Sequence, residues 1–224
     1  MSYKREILPN VLPGEKELTS ALIGIGIKLS GRAEYNQNIE NVLFSASLEA
    51  LNGDYRLLSL LVDWIAIHSD RILVDRLYHL VNILGEEKQK AFWSGVACWK
   101  SNDPRFSKLK KIYKGNRIEL LGAGTKFQVS SKGEDPRFKH SPILVANQTL
   151  RHRPSDIMKP EMLAKKHLAY YYRIIIGSTY KADMWAALEL KPDLNISQLA
   201  KLTYGSFATA WRVKQEWELI RQAA

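Results

Sequence analysis

Cysteine is nearly absent. Cys98 is the sole thiol among 224 residues, so an intramolecular disulfide cannot form, and a zinc site built on several thiolates is excluded. One unpaired thiol fits a reducing compartment. It lies in the mostly apolar run Trp93-Ser94-Gly95-Val96-Ala97-Cys98-Trp99, where a small buried hydrophobe is expected rather than a nucleophile. Long apolar runs are missing too: Arg56, Asp63 and His68 interrupt the longest stretches, and none reaches bilayer length. Lys4 and Arg5 open the chain, but Pro9, Asn10, Pro13 and Gly14 fall where the apolar core of a signal peptide would begin. The expectation is a cytoplasmic protein with no membrane partner. Low-complexity tracts are lacking as well. Hydrophobic residues make up 46% and charged residues 25%, which is ordinary globular composition and argues against general disorder.

Catalytic signatures are equally sparse. The five histidines, His68, His79, His140, His152 and His167, contain no H-x-x-x-H pair. His68, Ser69 and Asp70 are neighbours in sequence, whereas a triad needs convergence in space, so they read as a helix end with its cap. Gly24 and Gly26 make a G-x-G without the third glycine or the βαβ surround of a dinucleotide fingerprint. Gly122-Ala123-Gly124-Thr125-Lys126 lacks the G-x-x-x-x-G-K-S/T order of a phosphate loop and reads as a turn between strands. Glu134 and Asp135, with Arg137, Lys139 and His140, form one small acid–base cluster, the place where an RNA-processing site would sit. No catalytic residue, metal or cofactor is assigned.

What is present in excess is positive charge, and it is unevenly spread. The net charge is +10. Residues 1–100 carry 11 Lys+Arg against 12 Asp+Glu, residues 101–173 carry 16 against 6, and residues 174–224 carry 6 against 5. A basic excess confined to one stretch points to a polyanionic partner, and nucleic acid is the usual one because each neutralised phosphate releases counterions. The densest run is Lys108-Leu109-Lys110-Lys111-Ile112-Tyr113-Lys114-Gly115-Asn116-Arg117. Its Lys108, Lys110, Lys111 and Lys114 suit a phosphate backbone, with Leu109, Ile112 and Tyr113 turned inward. Arg151-His152-Arg153 and Lys165-Lys166-His167 are smaller patches of the same kind.

Apolar spacing predicts a mainly α protein. Helices are expected from Asn38 to Leu51, through Leu57–Ile67 after a cap at Asp54, and through Ile72–Leu84 after a cap at Ser69 or Asp70. Others cover Glu86–Lys100 and begin near Pro104. Together they suggest an N-terminal helical bundle over 1–114. Glycine-rich punctuation follows, with short strands expected at Arg117–Leu121, Lys126–Ser130 and Pro142–Ala146, a small β-containing connector over 115–153. Ile23–Ile27 alternates like a short strand. A last helical domain over 154–224 is expected to hold a helix from Pro160 to about Ile175, then Tyr180–Glu189, Ile196–Leu202 and Ser206–Gln222.

The final helices carry the sharpest pattern. Ala200 is a small residue inside the first helix of a pair. Thr203-Tyr204-Gly205 forms the turn, Ser206 caps the second helix, and the run S-x-x-T-x-x-R-V follows it. Over residues 180–222 this resembles the helix-turn-helix and winged-helix DNA-binding regulators of bacteria. At about 100° per residue, Ala210, Val213, Trp217 and Ile220 share one face and Thr209, Arg212 and Gln215 the opposite one. The resemblance implies double-stranded DNA as the partner, with Ser206, Thr209, Arg212 and Gln215 as reading residues. It also implies a transcriptional or antitoxin-like repressor role, with the N-terminal helices serving homodimerisation or a protein partner. The alternatives from other classes are the RNA-processing enzyme and a protein-interaction adaptor.

Overall fold

The computed structural model describes residues 5–9, 11–120, 122 and 124–223; Lys4, Asn10, Leu121 and Ala123 lie outside them. Helix dominates, and the first α-helices form as their spacing predicts. After α1 (Glu15–Gly24), Asn38 caps α2 (Ile39–Leu51) by accepting from the Asn41 amide, and Asp54 caps α3 (Tyr55–His68) through the Leu57 amide. A short 3-10 turn at Ser69–Arg71 leads into α4 (Val74–Leu84). Neither Ser69 nor Asp70 caps that helix. Its entry is held by Glu40, whose Oε1 accepts from the Leu73 amide at 2.8 Å. α5 (Glu87–Trp99) follows, then a 3-10 turn at Pro104–Phe106 and the short α6 (Ser107–Lys110).

Ile23–Ile27 is not a strand. α1 continues through Gly24, whose missing side chain lets the backbone of Glu34 lie against the helix, since a Cβ there would come within 2.0 Å of the Glu34 carbonyl oxygen. Ile27 retains one antiparallel bridge, to Ile157. β1 (Ile118–Glu119) and β2 (Ile143–Leu144) form where strands are expected, but they run parallel, Ile118 opposite Ile143, so they are not a hairpin. Lys126–Ser130 is helical, within α7 (Thr125–Lys132). Gly122 and Gly124 adopt left-handed backbone, and the Gly122 carbonyl accepts from both the amide and the hydroxyl of Thr125. Phe127 is then 78% exposed while Val129 is half-buried, so the two share no buried strand face.

After a 3-10 turn at Pro154–Asp156, the helix expected from Pro160 to Ile175 is two, α8 (Pro160–Ala164) and α9 (Leu168–Ile175). His167 separates them because its ring caps α9. α10 (Tyr180–Leu190), α11 (Ile196–Leu202) and α12 (Phe207–Ala223) complete the chain. One apolar core runs from Leu18 to Tyr170 and includes Trp64, Trp93 and Phe138. A second, smaller one joins Met184, Ala187, Leu188, Leu199, Ala200, Ala210 and Val213. Among the described residues no helix is long and apolar enough to cross a membrane. Cys98 is half-buried, and burial pushes its thiol above the usual range.

Two buried histidines make the packing sensitive to acid. His68 Nε2 donates to the Met158 carbonyl while Nδ1 accepts from the Tyr170 hydroxyl at 2.7 Å. His167 Nε2 donates to the Gln37 carbonyl and Nδ1 accepts from the Tyr170 amide. Burial pushes both down to about 4, whereas an unfolded imidazole titrates near 6.5. The unfolded state therefore binds more protons between those values, and stability is lost as pH falls from about 6.5 toward 4. The unfolding free energy is expected to fall steadily between pH 7.5 and 5, by at most about 2 kcal/mol for each ring. Replacing both by glutamine should flatten the profile; an unchanged slope would contradict the neutral, buried state.

Candidate nucleic-acid interface

The last three helices assemble from local signals. Asn195 and Gln198 cap α11 reciprocally, the Asn195 side chain accepting from the Gln198 amide at 2.9 Å and the Gln198 side chain from the Asn195 amide at 3.0 Å. Fully buried Ala200 leaves room for α12 to approach α11. α11 ends with two reversed bonds, Gly205 N–H to the Ala200 carbonyl at 3.0 Å and Tyr204 N–H to that of Lys201 at 3.2 Å, a termination that needs one left-handed residue. The turn falls at Thr203-Tyr204-Gly205, as the sequence indicates. The left-handed residue is Tyr204, with φ of 59°. Gly205 is small for another reason: a Cβ there would stand 2.2 Å from Met184 Cε. Ser206 then caps α12, its Oγ accepting from the Thr209 amide at 3.1 Å and sharing a hydrogen bond with the Thr209 hydroxyl.

A tyrosine in left-handed backbone costs about 1–2 kcal/mol, and residues of α2, α4 and the N-terminal segment surround it with partners. The Arg76 guanidinium lies 3.4 Å from the centre of the Tyr204 ring. Asn41 Nδ2 donates to the Tyr204 hydroxyl at 3.2 Å, and Arg5 Nε to its carbonyl at 2.8 Å. Arg76 also donates to Asn41 Oδ1 at 2.9 Å and to the Ile7 carbonyl. Burial holds this guanidinium below the usual arginine range, opposed by the charges of nearby Tyr204 and Glu40.

Deeper still, Arg173 of α9 uses all five N–H donors. It grips Asp183 of α10 at 2.8 Å twice, Glu40 of α2 at 2.7 and 2.8 Å, and the Arg71 carbonyl at 2.8 Å. All three side chains are buried. Burial alone would lower the guanidinium, but the Asp183 and Glu40 carboxylates outweigh it and hold Arg173 well above its ordinary value. A cleft of about 440 Å³ opens above this cluster, lined by Asn38 and Asn41 on one side and Thr203 and Tyr204 on the other.

The candidate reading residues do not all stand alike. Arg212 and Gln215 are exposed on α12, and neither has a hydrogen-bond or ion-pair partner among the described residues. Thr209 and Ser206 are half-buried and bonded to each other. On the inner face Ala210 and Val213 are buried and Trp217 half-buried, but Ile220 is 57% exposed because α12 outruns the helices beneath it. The acidic residues of α12 are answered locally, Glu216 by Lys181 at 2.8 Å and Glu218 by Lys214 at 3.9 Å.

In the basic run, Leu109 is buried and Ile112 and Tyr113 pack against the core, as their spacing indicated. Lys110, Lys111 and Lys114 are exposed and without an ion pair among the described residues. Lys108 approaches Asp75 at 3.8 Å. Asp75 also accepts from the Tyr180 hydroxyl at 3.0 Å, and a Cβ at Gly205 would touch Tyr180 at 3.5 Å. The start of the basic run and the start of α12 are thus linked through Asp75 and Tyr180. The Glu134–His140 loop is already committed: Glu134 holds Arg117 at 2.6 and 2.9 Å, and Asp135 holds Arg137 at 2.6 and 2.9 Å. Among the described residues no cluster could hold a metal ion.

Sequence reasoning missed Glu40, Asn41, Arg76 and Arg173 altogether. The one available signal was their position as charged or amide residues within otherwise apolar helices. No family model, curated protein or solved structure matches this chain.

Two outcomes follow. Arg173→Met leaves two carboxylates buried without their cation, and chemical denaturation should show a loss of about 3–5 kcal/mol. Tyr204→Ala should lower stability more than Tyr204→Gly, by about 1 kcal/mol, because only glycine relieves the left-handed backbone; equal losses would mean that the backbone cost is not felt.

Proposed function

We propose that the protein is a cytoplasmic DNA-binding regulator, of transcriptional-repressor or antitoxin type, in which α10, α11 and α12 act as a helix-turn-helix. The observation that carries this reading is the state of Arg212 and Gln215. Both stand exposed and unpaired on a helix whose opposite face is fixed against its neighbours, and Arg and Gln are suited to the major-groove edges of guanine and adenine. α12 has 17 residues, ample for a groove-filling helix. Ser206 and Thr209 occupy its first turn, where the amide groups favour a phosphate.

Lys108, Lys110, Lys111 and Lys114 supply the non-specific attraction. The contacts through Asp75 and Tyr180 put the first of them on the side where α12 begins. The N-terminal helices serve a second copy or a protein partner. A protein-interaction adaptor is the second reading, and it is favoured by Trp211, Leu219 and Ile220, which are 51%, 66% and 57% exposed along α12.

Fluorescence anisotropy with mixed-sequence duplex DNA across a salt series tests the proposal. Binding should weaken steeply with salt, and Lys110→Ala should weaken every sequence alike and shallow the salt slope by roughly one phosphate contact. On a selected site, Arg212→Ala should cost about 1–3 kcal/mol and relax discrimination at one base pair. Equal loss on every sequence would remove Arg212 from the reading set. Absence of binding at low salt would leave the adaptor reading, and preference for single-stranded RNA would favour RNA processing.

A further inference from the structure

A second charged feature lies along α3 and shares no residue with α12. Residues 151–153 run along this helix as a strap tied by two backbone amides. The Arg151 amide donates to Ser59 Oγ at 3.1 Å and the Arg153 amide to Asp63 Oδ2 at 2.6 Å. Ser59 and Asp63 are one helical turn apart, so they fix an extended strap parallel to the helix axis. In extended chain, alternate residues face the same way. Arg151 and Arg153 accordingly line one pocket, together with Tyr55, Arg56, Ser59, Leu60, Thr149 and Asp156. His152 instead gives its Nδ1–H to Asp63 Oδ1 at 2.7 Å. Asp63 is itself buried, with Arg137 Nη1 at 3.9 Å.

The pocket encloses about 600 Å³, within the range of small-molecule sites. Three arginines line it, Arg56, Arg151 and Arg153. None has a hydrogen-bond or ion-pair partner among the described residues, whereas Arg117, Arg137 and Arg173 each hold a carboxylate through two hydrogen bonds. Of the two carboxylates in the wall, Asp63 is already saturated by its own contacts, which leaves Asp156 alone against three cations. Such an excess, concentrated in a concave site, matches an anion of equal charge density. A single backbone phosphodiester carries one negative charge; a chain of two or three phosphates carries three or four and presents paired oxygens that a planar guanidinium grips two at a time. The aromatic ring of Tyr55 at the same wall suits a base stacked beside such a chain.

We propose that this pocket is a binding site for a small polyphosphate, with Arg56, Arg151 and Arg153 as its phosphate-gripping residues and Asp63 as the group that positions the strap. It is independent of the α12 reading, since no residue is shared.

Isothermal titration of the full chain, in magnesium-free buffer at moderate salt, would use pyrophosphate, tripolyphosphate, ADP and ATP as probes. Saturable one-to-one binding is expected, weakened at least tenfold in Arg151→Ala/Arg153→Ala. These side chains are exposed and the strap's amide bonds survive the change, so the fold is retained. Lys165→Ala/Lys166→Ala, which removes the same charge from another patch, should leave the affinity within twofold. ATP binding tighter than tripolyphosphate would identify a nucleotide as the source of the phosphates, and equal affinities an inorganic chain; either supports the site. No saturable binding of any probe at millimolar concentration would overturn it, as would equal weakening by the two double variants. Loss of duplex-DNA affinity alone in Arg151→Ala/Arg153→Ala, without polyphosphate binding, would likewise overturn it and assign the arginines to the nucleic-acid backbone.

Discussion

The arrangement of the helices depends on a guanidinium that water cannot reach. Arg173 is sealed among α2, α9 and α10, and its five donors have five acceptors. A buried charge of this kind is tolerated only when the geometry around it is complete. Glu40 contributes twice, once to Arg173 and once as the acceptor that starts α4. Arg173 thereby ties α10, and with it the last three helices, to α2 and α9. The apolar contacts alone fall into two separate clusters.

Much of the helical framework was legible because it is written locally. Asn38, Asp54, Asn195 and Ser206 cap helices by bonds reaching only three residues ahead. The β connector was half legible. Ile118 and Ile143 lie in strands as their apolar neighbours suggest, but their parallel pairing joins residues far apart in sequence. Phe127 and Val129 alternate like a strand and are helical, because the left-handed turn before Thr125 starts a helix and no strand edge is offered to them. His167 broke a helix that periodicity drew as continuous, since only the fold brings its ring over the Tyr170 amide.

The candidate site divides in the same way. Arg212 and Gln215 were legible because exposure on an amphipathic helix follows from spacing alone, whereas of the basic run only Lys108 and Lys110 are helical, and Lys111 and Lys114 are exposed beyond the end of α6. The inner face was misread at Ile220, since spacing carries no information about where the supporting helices end. The groups that orient the site were invisible. Arg76 and Tyr204 are 128 positions apart, and nothing near either one announces the other. The strap at 151–153 is a similar case, as Asp63 appeared in the sequence only as a flaw in an apolar run.

The left-handed Tyr204 has a thermodynamic consequence. The turn between α11 and α12 is unfavourable on its own and is offset only while Arg76, Asn41 and Arg5 remain in contact with it. Part of the local stability there comes from residues of α2 and α4, so opening the C-terminal helices also breaks contacts outside them. The two apolar clusters are joined here by a polar and cation–π contact at Tyr204.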